Sequence, residues 1–463
     1  MQRLVYALLP CIFFLDFLRV YLKIPKVLLL LPELLSGVAL LLVMSELAKT
    51  GRFQLAGRYV LLVCVLVITI VFGLVVSEAT TGPIVGGLRL YLKYLVFFLL
   101  PIVFVLTERQ LRLQMIAVLG LMLLQLPVTL LQRFVFHVGE SGDSGRGTLG
   151  TGSITAVVVL FGLSVVIAMY HQGHLSRMRA FLMGACLALT PMFADAKGAF
   201  ILLPLAIMIP TLFATVPGVN RVVRTLKGGV VVVAALAVFA LAYSFAESTF
   251  AERSEKGYRT SIIDFYKDPA LVLSYMAPQL AGHENPDRVG RLDGVIAPVV
   301  EFWGDPLKMI SGLGFGALAD SPFDFFAVDQ YQYILDSKLG YVSISRILWE
   351  LGYVGTFLVL LALFLVWRDA RRLSRVRSLE GALALGLLAI IPIYFASMFW
   401  KNVITNNTIM YLFAYYSGVV VAAAYRMSDV SLPENVVVAQ TMGRNDEAQL
   451  PAILSPAKAN SML

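Results

Sequence analysis

Stretches of about twenty apolar residues recur along most of this chain, and they decide what it can fold into. Inside a hydrocarbon layer no water satisfies backbone N–H and C=O groups, so such stretches must become helices. Twelve are expected, near 4–22, 27–47, 59–78, 88–107, 113–136, 153–170, 179–195, 197–216, 226–246, 343–367, 379–400 and 405–425. Charged residues make up 14% of the 463, against about 25% in a soluble domain. That excludes an ordinary soluble enzyme and a disordered chain. The expected class is an all-α polytopic membrane protein. Residues 1–246 hold helices 1–9, and 247–342 form one large extracytoplasmic loop domain. Residues 343–425 hold helices 10–12, and 426–463 form a disordered cytoplasmic tail.

The first apolar run follows Arg3 but has no small-x-small cleavage site, and Asp16, Arg19, Lys23 and Lys26 interrupt or flank it. It reads as a first membrane helix rather than a removed leader. The net charge is +8. In a soluble chain that would suggest nucleic acid. Here the basic residues sit in short connections beside apolar runs, and no nucleic-acid partner is expected. Lys49, Arg52 and Arg58 follow helix 2; Arg109 and Arg112 follow helix 4; Arg177 and Arg179 follow helix 6. Arg221, Arg224 and Lys227 follow helix 8, and Arg368, Arg371, Arg372, Arg375 and Arg377 follow helix 10. Every even-numbered exit is basic, which assigns these connections and both termini to the cytoplasm. Cys11, Cys64 and Cys186 all fall in apolar runs, without disulfide or zinc spacing, and read as core residues.

The odd connections then face outward. The loop over 247–342 carries 14 acidic and 8 basic residues, and its length marks it as functional rather than a passive connector. Four outward cationic features stand out. Lys197, in Ala194-Asp195-Ala196-Lys197-Gly198-Ala199, opens a helix whose free N–H groups suit an anion; equally, it can pair with Asp195 and cap a tight hairpin. Arg288 and Arg291 offer forked donors for phosphate, or balance Asp287 and Asp293. Arg146 lies in a glycine-rich loop, as a ligand clamp or a solvated charge. Arg89 and Lys93 share a helix face, either snorkelling to headgroups or lining an anionic lipid path.

The run Gly312-Leu313-Gly314-Phe315-Gly316 lacks the Lys-Ser/Thr of a phosphate loop and reads as a tight turn re-entering the membrane surface. Candidate outward bases are His283, Asp320 and Asp336, with Asp324, Asp329 and Glu284 nearby. Phe323, Phe325, Phe326, Tyr331 and Tyr333 interleave with these acids. That mixture suits sugar binding, and it equally suits an amphipathic helix on the membrane. No His or Cys pair at ligand spacing lies outside, so neither a metal nor another cofactor is expected.

Taken in order, Arg291, Trp303, Asp305-Pro306, the glycine run, and Ser345-Arg346-Ile347-Leu348-Trp349-Glu350-Leu351-Gly352-Tyr353-Val354-Gly355 resemble the O-antigen polymerase and ligase superfamily of bacterial glycan assembly. That superfamily shows an arginine, a tryptophan, a GxGxG and then an ExGxxG in the following helix. Lys197-Gly198-Ala199 is similar to its Ser-Arg-Gly-Ala signature, with lysine for arginine, and Arg146 to Gly150 to its earlier outward-loop arginine. The twelve-helix plan with one large late loop matches as well. Its ligases carry a histidine at the place of Tyr341, whereas this chain has none after His283, which favours a polymerase.

The resemblance implies a metal-independent inverting glycosyltransferase in the bacterial inner membrane. It would polymerise exopolysaccharide or O-antigen repeat units from undecaprenyl diphosphate onto the terminal sugar of another lipid-linked unit. Lys197 and Arg291 would hold the diphosphate, with Arg288 and Arg146 behind them. Other polysaccharide assembly and export proteins would be partners. The alternatives are a ligase-type transferase to a different acceptor, a flippase or transporter using Asp16, Arg19, Arg89 and Lys93, and a scaffold of an export complex.

Overall fold

Helix dominates, as an apolar medium requires, and no strand occurs among the described residues. The computed structural model describes the chain except for residues 78–80, 137–145, 195, 197, 216–220, 252–266, 279–289, 320–330, 338 and 431–463. In order, the helices are α1 (Gln2–Tyr21), α2 (Leu31–Thr50), α3 (Gly57–Val76), α4 (Thr81–Val103), α5 (Glu108–Leu123) and α6 (Gln125–Phe134). Then come α7 (Gly152–His171), α8 (Arg177–Phe193), α9 (Ala199–Phe213), α10 (Arg221–Ala251), α11 (Pro269–Met276) and α12 (Arg291–Glu301). Last are α13 (Pro306–Ser311), α14 (Gln332–Asp336), α15 (Ser343–Leu373), α16 (Leu379–Ser397) and α17 (Asn407–Val430).

Among the described residues, 9 helical stretches are long and apolar enough to cross a membrane: α1, α2 with the turn before it, α3, α4, α5 running into α6, α7, α15, α16 and α17. The protein is a polytopic helical membrane protein. The other three expected stretches are helical too, as α8, α9 and α10. Of these, α9 and the part of α10 over Thr225–Leu241 are shorter apolar segments.

Residues Met1–Tyr425 form one compact unit, and a second begins at Arg426. The expected disordered tail falls, from residue 431, outside the described residues. Within the first unit α7 and α17 are innermost, each with 89% of its apolar window buried, against 22% for α2 and α3. Lipid tails are as apolar as leucine, so close approach of backbones holds such helices together. Gly386 of α16 lies on Val165 of α7, and Gly418 of α17 on Phe98 and Pro101 of α4. Cys64 corrects the expectation of a core position. It is exposed on the outer face of α3, where a weakly polar thiol loses little by facing lipid.

Contacts sort the helix ends into two groups. Arg58, at the start of α3, reaches both carboxylate oxygens of Asp369 near the end of α15 at 2.6 Å. Gln172, past the end of α7, donates to the Ser374 carbonyl at 2.9 Å. Arg371 lies over the ring of Phe213 at the end of α9. Connections rich in arginine therefore gather at one end of the bundle. The opposite end joins the starts of α9, α12, α15 and α17, and there the candidate site lies.

Replacing Gly418 with leucine is expected to destabilise the protein by about 1–3 kcal/mol, the usual cost of overpacking. An added Cβ would fall on the Phe98 carbonyl and 2.8 Å from Pro101 Cγ. Gly37→Ala, with nothing within 4 Å, should not lower the unfolding temperature in detergent. Equal melting of both variants would refute the close packing of α4 on α17.

Candidate functional site

The glycine run becomes a buried turn. Gly312, Gly314 and Gly316 have φ of 68°, 98° and 82°, a region that side-chain-bearing residues avoid. There is also no room for a Cβ. One at Gly312 would meet Gly352 N at 2.7 Å, and one at Gly316 would meet Gly87 N at 2.8 Å. The turn threads between the end of α3, the start of α4 and the first turns of α15. The expected tight turn is present.

A buried charge pair on α15 grips this turn. Glu350 is fully buried, and one of its oxygens accepts from the Leu318 N–H and from Arg346 Nε, both at 3.2 Å. The other accepts from the Tyr91 hydroxyl of α4 at 2.5 Å. Arg346 in turn donates to the Leu318 carbonyl. Leu313 N–H donates to the Trp349 carbonyl at 2.7 Å, one residue before Glu350. That carbonyl is available because α15 breaks at Gly352, whose backbone is non-helical with φ 64°. The Glu350-x-Gly352 spacing thus combines a carboxylate with a helix break.

Beside the turn sits a small second core of Phe302, Leu313, Leu318, Ile334 and Trp349. It carries α12 and α14 against the start of α15. The Ser345 hydroxyl lies 2.5 Å from the carbonyls of both Gly294 and Leu339, fixing α12 in place. Asp293 is buried and accepts from the Gly290 N–H at 2.9 Å, capping α12 rather than balancing a surface arginine. Asp305 caps α13 through the Lys308 N–H, and that bond holds its carboxyl below the usual range. Partial burial, with Glu301 close by, pushes the Tyr333 phenol up.

Arg291 opens α12. Its Nε donates to the Trp400 carbonyl at 2.9 Å, across 109 residues of sequence. Gly198 faces the indole of the same Trp400, an added Cβ lying 3.8 Å from its Nε1. The start of α12 and the α8–α9 join, two segments singled out for their cations, therefore meet at Trp400. Lys197 itself lies outside the described residues, as do Arg288, His283 and Asp320. The interleaved run from Phe323 to Asp329 also lies outside them. Asp336 is exposed at the end of α14.

The structure adds Lys401, which sequence reasoning missed. Its ammonium donates to the Tyr341 hydroxyl at 2.5 Å. The Lys401 backbone is held in turn, its carbonyl accepting from Ser343 N–H at 3.2 Å. A lone lysine in an otherwise uncharged outward connection was the available signal. Arg146 is exposed, but its backbone is anchored: its carbonyl accepts from Thr155 Oγ1 at 2.7 Å. The following Gly147 and Thr148 are docked on α6 by Gln132 and Gln125. Gly150 then approaches Asp16 of α1. Among the described residues no cluster suited to a metal ion occurs. No protein-family model matches the chain, and no curated protein matches it.

The Arg346–Glu350 pair yields a prediction. Removing one partner of a buried ion pair leaves an uncompensated charge, at about 3–5 kcal/mol. Arg346→Ala should lower the detergent unfolding temperature and open the 312–318 turn to protease. Arg112→Ala, which breaks the exposed pair with Glu108, should change neither, because surface pairs contribute about 0–1 kcal/mol. A melting curve unchanged by Arg346→Ala would refute the clamp.

Proposed function

We propose that this protein polymerises exopolysaccharide or O-antigen repeat units. It would transfer a glycan from undecaprenyl diphosphate to the terminal sugar of another lipid-linked unit at the outer face of the cytoplasmic membrane. The observation that carries this reading is the meeting of Arg291, Lys401 and the Gly198 join around Trp400. These elements gather at the end of the bundle opposite the arginine-rich connections. The positive-inside rule assigns the arginine-rich end, with both termini, to the cytoplasm. If α8, α9 and α10 cross as well as the nine candidate spans, the count is twelve and the Trp400 end faces outward.

The reaction fits these residues. An acceptor hydroxyl attacks the anomeric carbon from the face opposite the diphosphate. The bond from that carbon to the diphosphate oxygen breaks with inversion, and the hydroxyl proton passes to a carboxylate or a histidine. Negative charge grows on the leaving diphosphate, and preplaced cations stabilise it in the transition state. Arg291, Lys401 and Lys197 are the cations assigned, with Arg288 and Arg146 behind them. Asp336, Asp320 and His283 are the candidate bases.

The exposed residues Leu292, Ile296 and Val300 of α12, with Trp303, Leu307 and Ile310, form an apolar surface suited to lie in the headgroup region. That posture brings Arg291 to the depth of a lipid-linked diphosphate. Tyr341, where the ligases of the resembled superfamily have histidine, supports the polymerase over the ligase-type alternative. A flippase or transporter draws support from Arg89 and Lys93, which lie within a candidate span.

Arg291→Ala, Lys401→Ala and Lys197→Ala, tested separately at matched protein levels, should each reduce polymer about 100- to 1000-fold, the usual loss for one electrostatic group. Lipid-linked single repeat units should accumulate facing outward, as resolved by gel and by accessibility to an external glycosidase. Units trapped on the cytoplasmic side would indicate a flippase. Normal polymer in all three would refute the diphosphate site.

A further inference from the structure

A second cationic cluster lies apart from Trp400, between α2 and α4. Glu33, in the first turn of α2, accepts from Arg89 Nε at 2.9 Å and from Lys93 Nζ at 3.1 Å. Both cations belong to α4 and are its only charged residues. One carboxylate thus serves two cations, leaving a surplus charge of +1. The Lys93 side chain is 8% exposed and that of Arg89 32%. Arg89 engages Glu33 through Nε, and no hydrogen bond to its two terminal nitrogens occurs among the described residues. A surplus charge within a membrane helix is costly unless a counter-charge accompanies it.

The surroundings say what kind of counter-charge fits. Val85 and Leu92, four residues before and three after Arg89, are exposed on its face of α4. Leu34, Val38 and Leu41 are exposed on α2. The guanidinium therefore borders an exposed apolar stripe. Glu33 lies in the first turn of α2, whereas Arg89 and Lys93 lie further along α4, so the cluster is level with the start of α2. A ligand that meets a forked cation and an apolar stripe at once carries a phosphate on a hydrocarbon chain.

We infer that Arg89 and Lys93, braced by Glu33, form a binding site for the phosphate group of a membrane lipid, whose chains lie along the exposed faces of α2 and α4. Glu33 aligns the two cations, and the free fork of Arg89 takes the phosphate. The site is tied to the loop that holds Lys401. Tyr94, next to Lys93, donates its hydroxyl to the Thr405 carbonyl and the Asn407 side chain, at 2.9 Å from each. This assignment stands whether or not the protein is a polymerase.

The test is lipid retention by the purified full-length protein in detergent, read by native mass spectrometry. The probes are phosphatidylglycerol, phosphatidylcholine and farnesyl diphosphate, with inorganic phosphate as competitor. Wild type should retain phosphatidylglycerol or farnesyl diphosphate over phosphatidylcholine. Preference between the first two identifies a bulk phospholipid or a diphosphate lipid as the source. Arg89→Gln should weaken retention about 10- to 100-fold, and Arg89→Lys should restore only part of it, because the fork is lost. Arg112→Ala, at an exposed pair with Glu108, should leave retention unchanged. The melting temperature of each variant shows that it is folded. Equal retention by wild type and Arg89→Gln, or no discrimination against phosphatidylcholine, would overturn the site. Displacement by millimolar inorganic phosphate would overturn its lipid character.

Discussion

One carboxylate holds the end of the bundle together. Glu350 is fully buried and joins three elements by accepting from Tyr91 on α4, from the backbone of Leu318 and from Arg346 on its own helix. In a low-dielectric interior such bonds are strong, and each missing partner is costly. The arrangement makes sense because the chain cannot leave backbone groups unpaired in an apolar medium. The 312–318 turn is irregular backbone inside a helical protein. It is tolerated because α15 breaks at Gly352 and presents a free carbonyl at Trp349, and because Arg346 and Glu350 answer the groups of Leu318.

The rest of the site is stacked on that clamp. The turn supports Phe302 and Ile334, and these support α12 and α14. Ser345, one residue before Arg346, holds the carbonyls of Gly294 and Leu339. Arg291 is thereby carried to Trp400 by a rigid path rather than by a free loop. On the other side of that loop, Tyr94 ties Thr405 and Asn407 to the helix that bears Arg89 and Lys93. Two cationic clusters thus flank one connection, 398–406. Each is placed by helices that are themselves fixed by close backbone contact.

Much of the fold was legible in the sequence. Apolar run length locates the long apolar helices but not the short ones between 269 and 336, because only a crossing needs about twenty residues. The turn at 312–316 was legible from its glycines, whose positive φ no other residue adopts cheaply. Cys64 was misread, since apolarity in a membrane helix does not separate a buried face from a lipid-facing one. The site was legible only in part. Arg291 could be named from its residue type and neighbours. Lys401 carried only the signal of a lone cation in an outward connection, and its pairing with Tyr341, 60 residues away, came from the tertiary structure.

What the sequence by itself determined is the class of molecule, the positions of its long apolar helices and the gathering of arginines in alternate connections. Those follow from local properties, namely run length, composition and backbone freedom. The tertiary structure decided which charges meet. It brought Arg291 to Trp400, gave Glu350 to the glycine turn, and made Glu33 the shared partner of Arg89 and Lys93. Such pairings depend on which helix faces touch. In lipid that is set by small residues and buried polar groups on different helices, and no single stretch of sequence contains both sides.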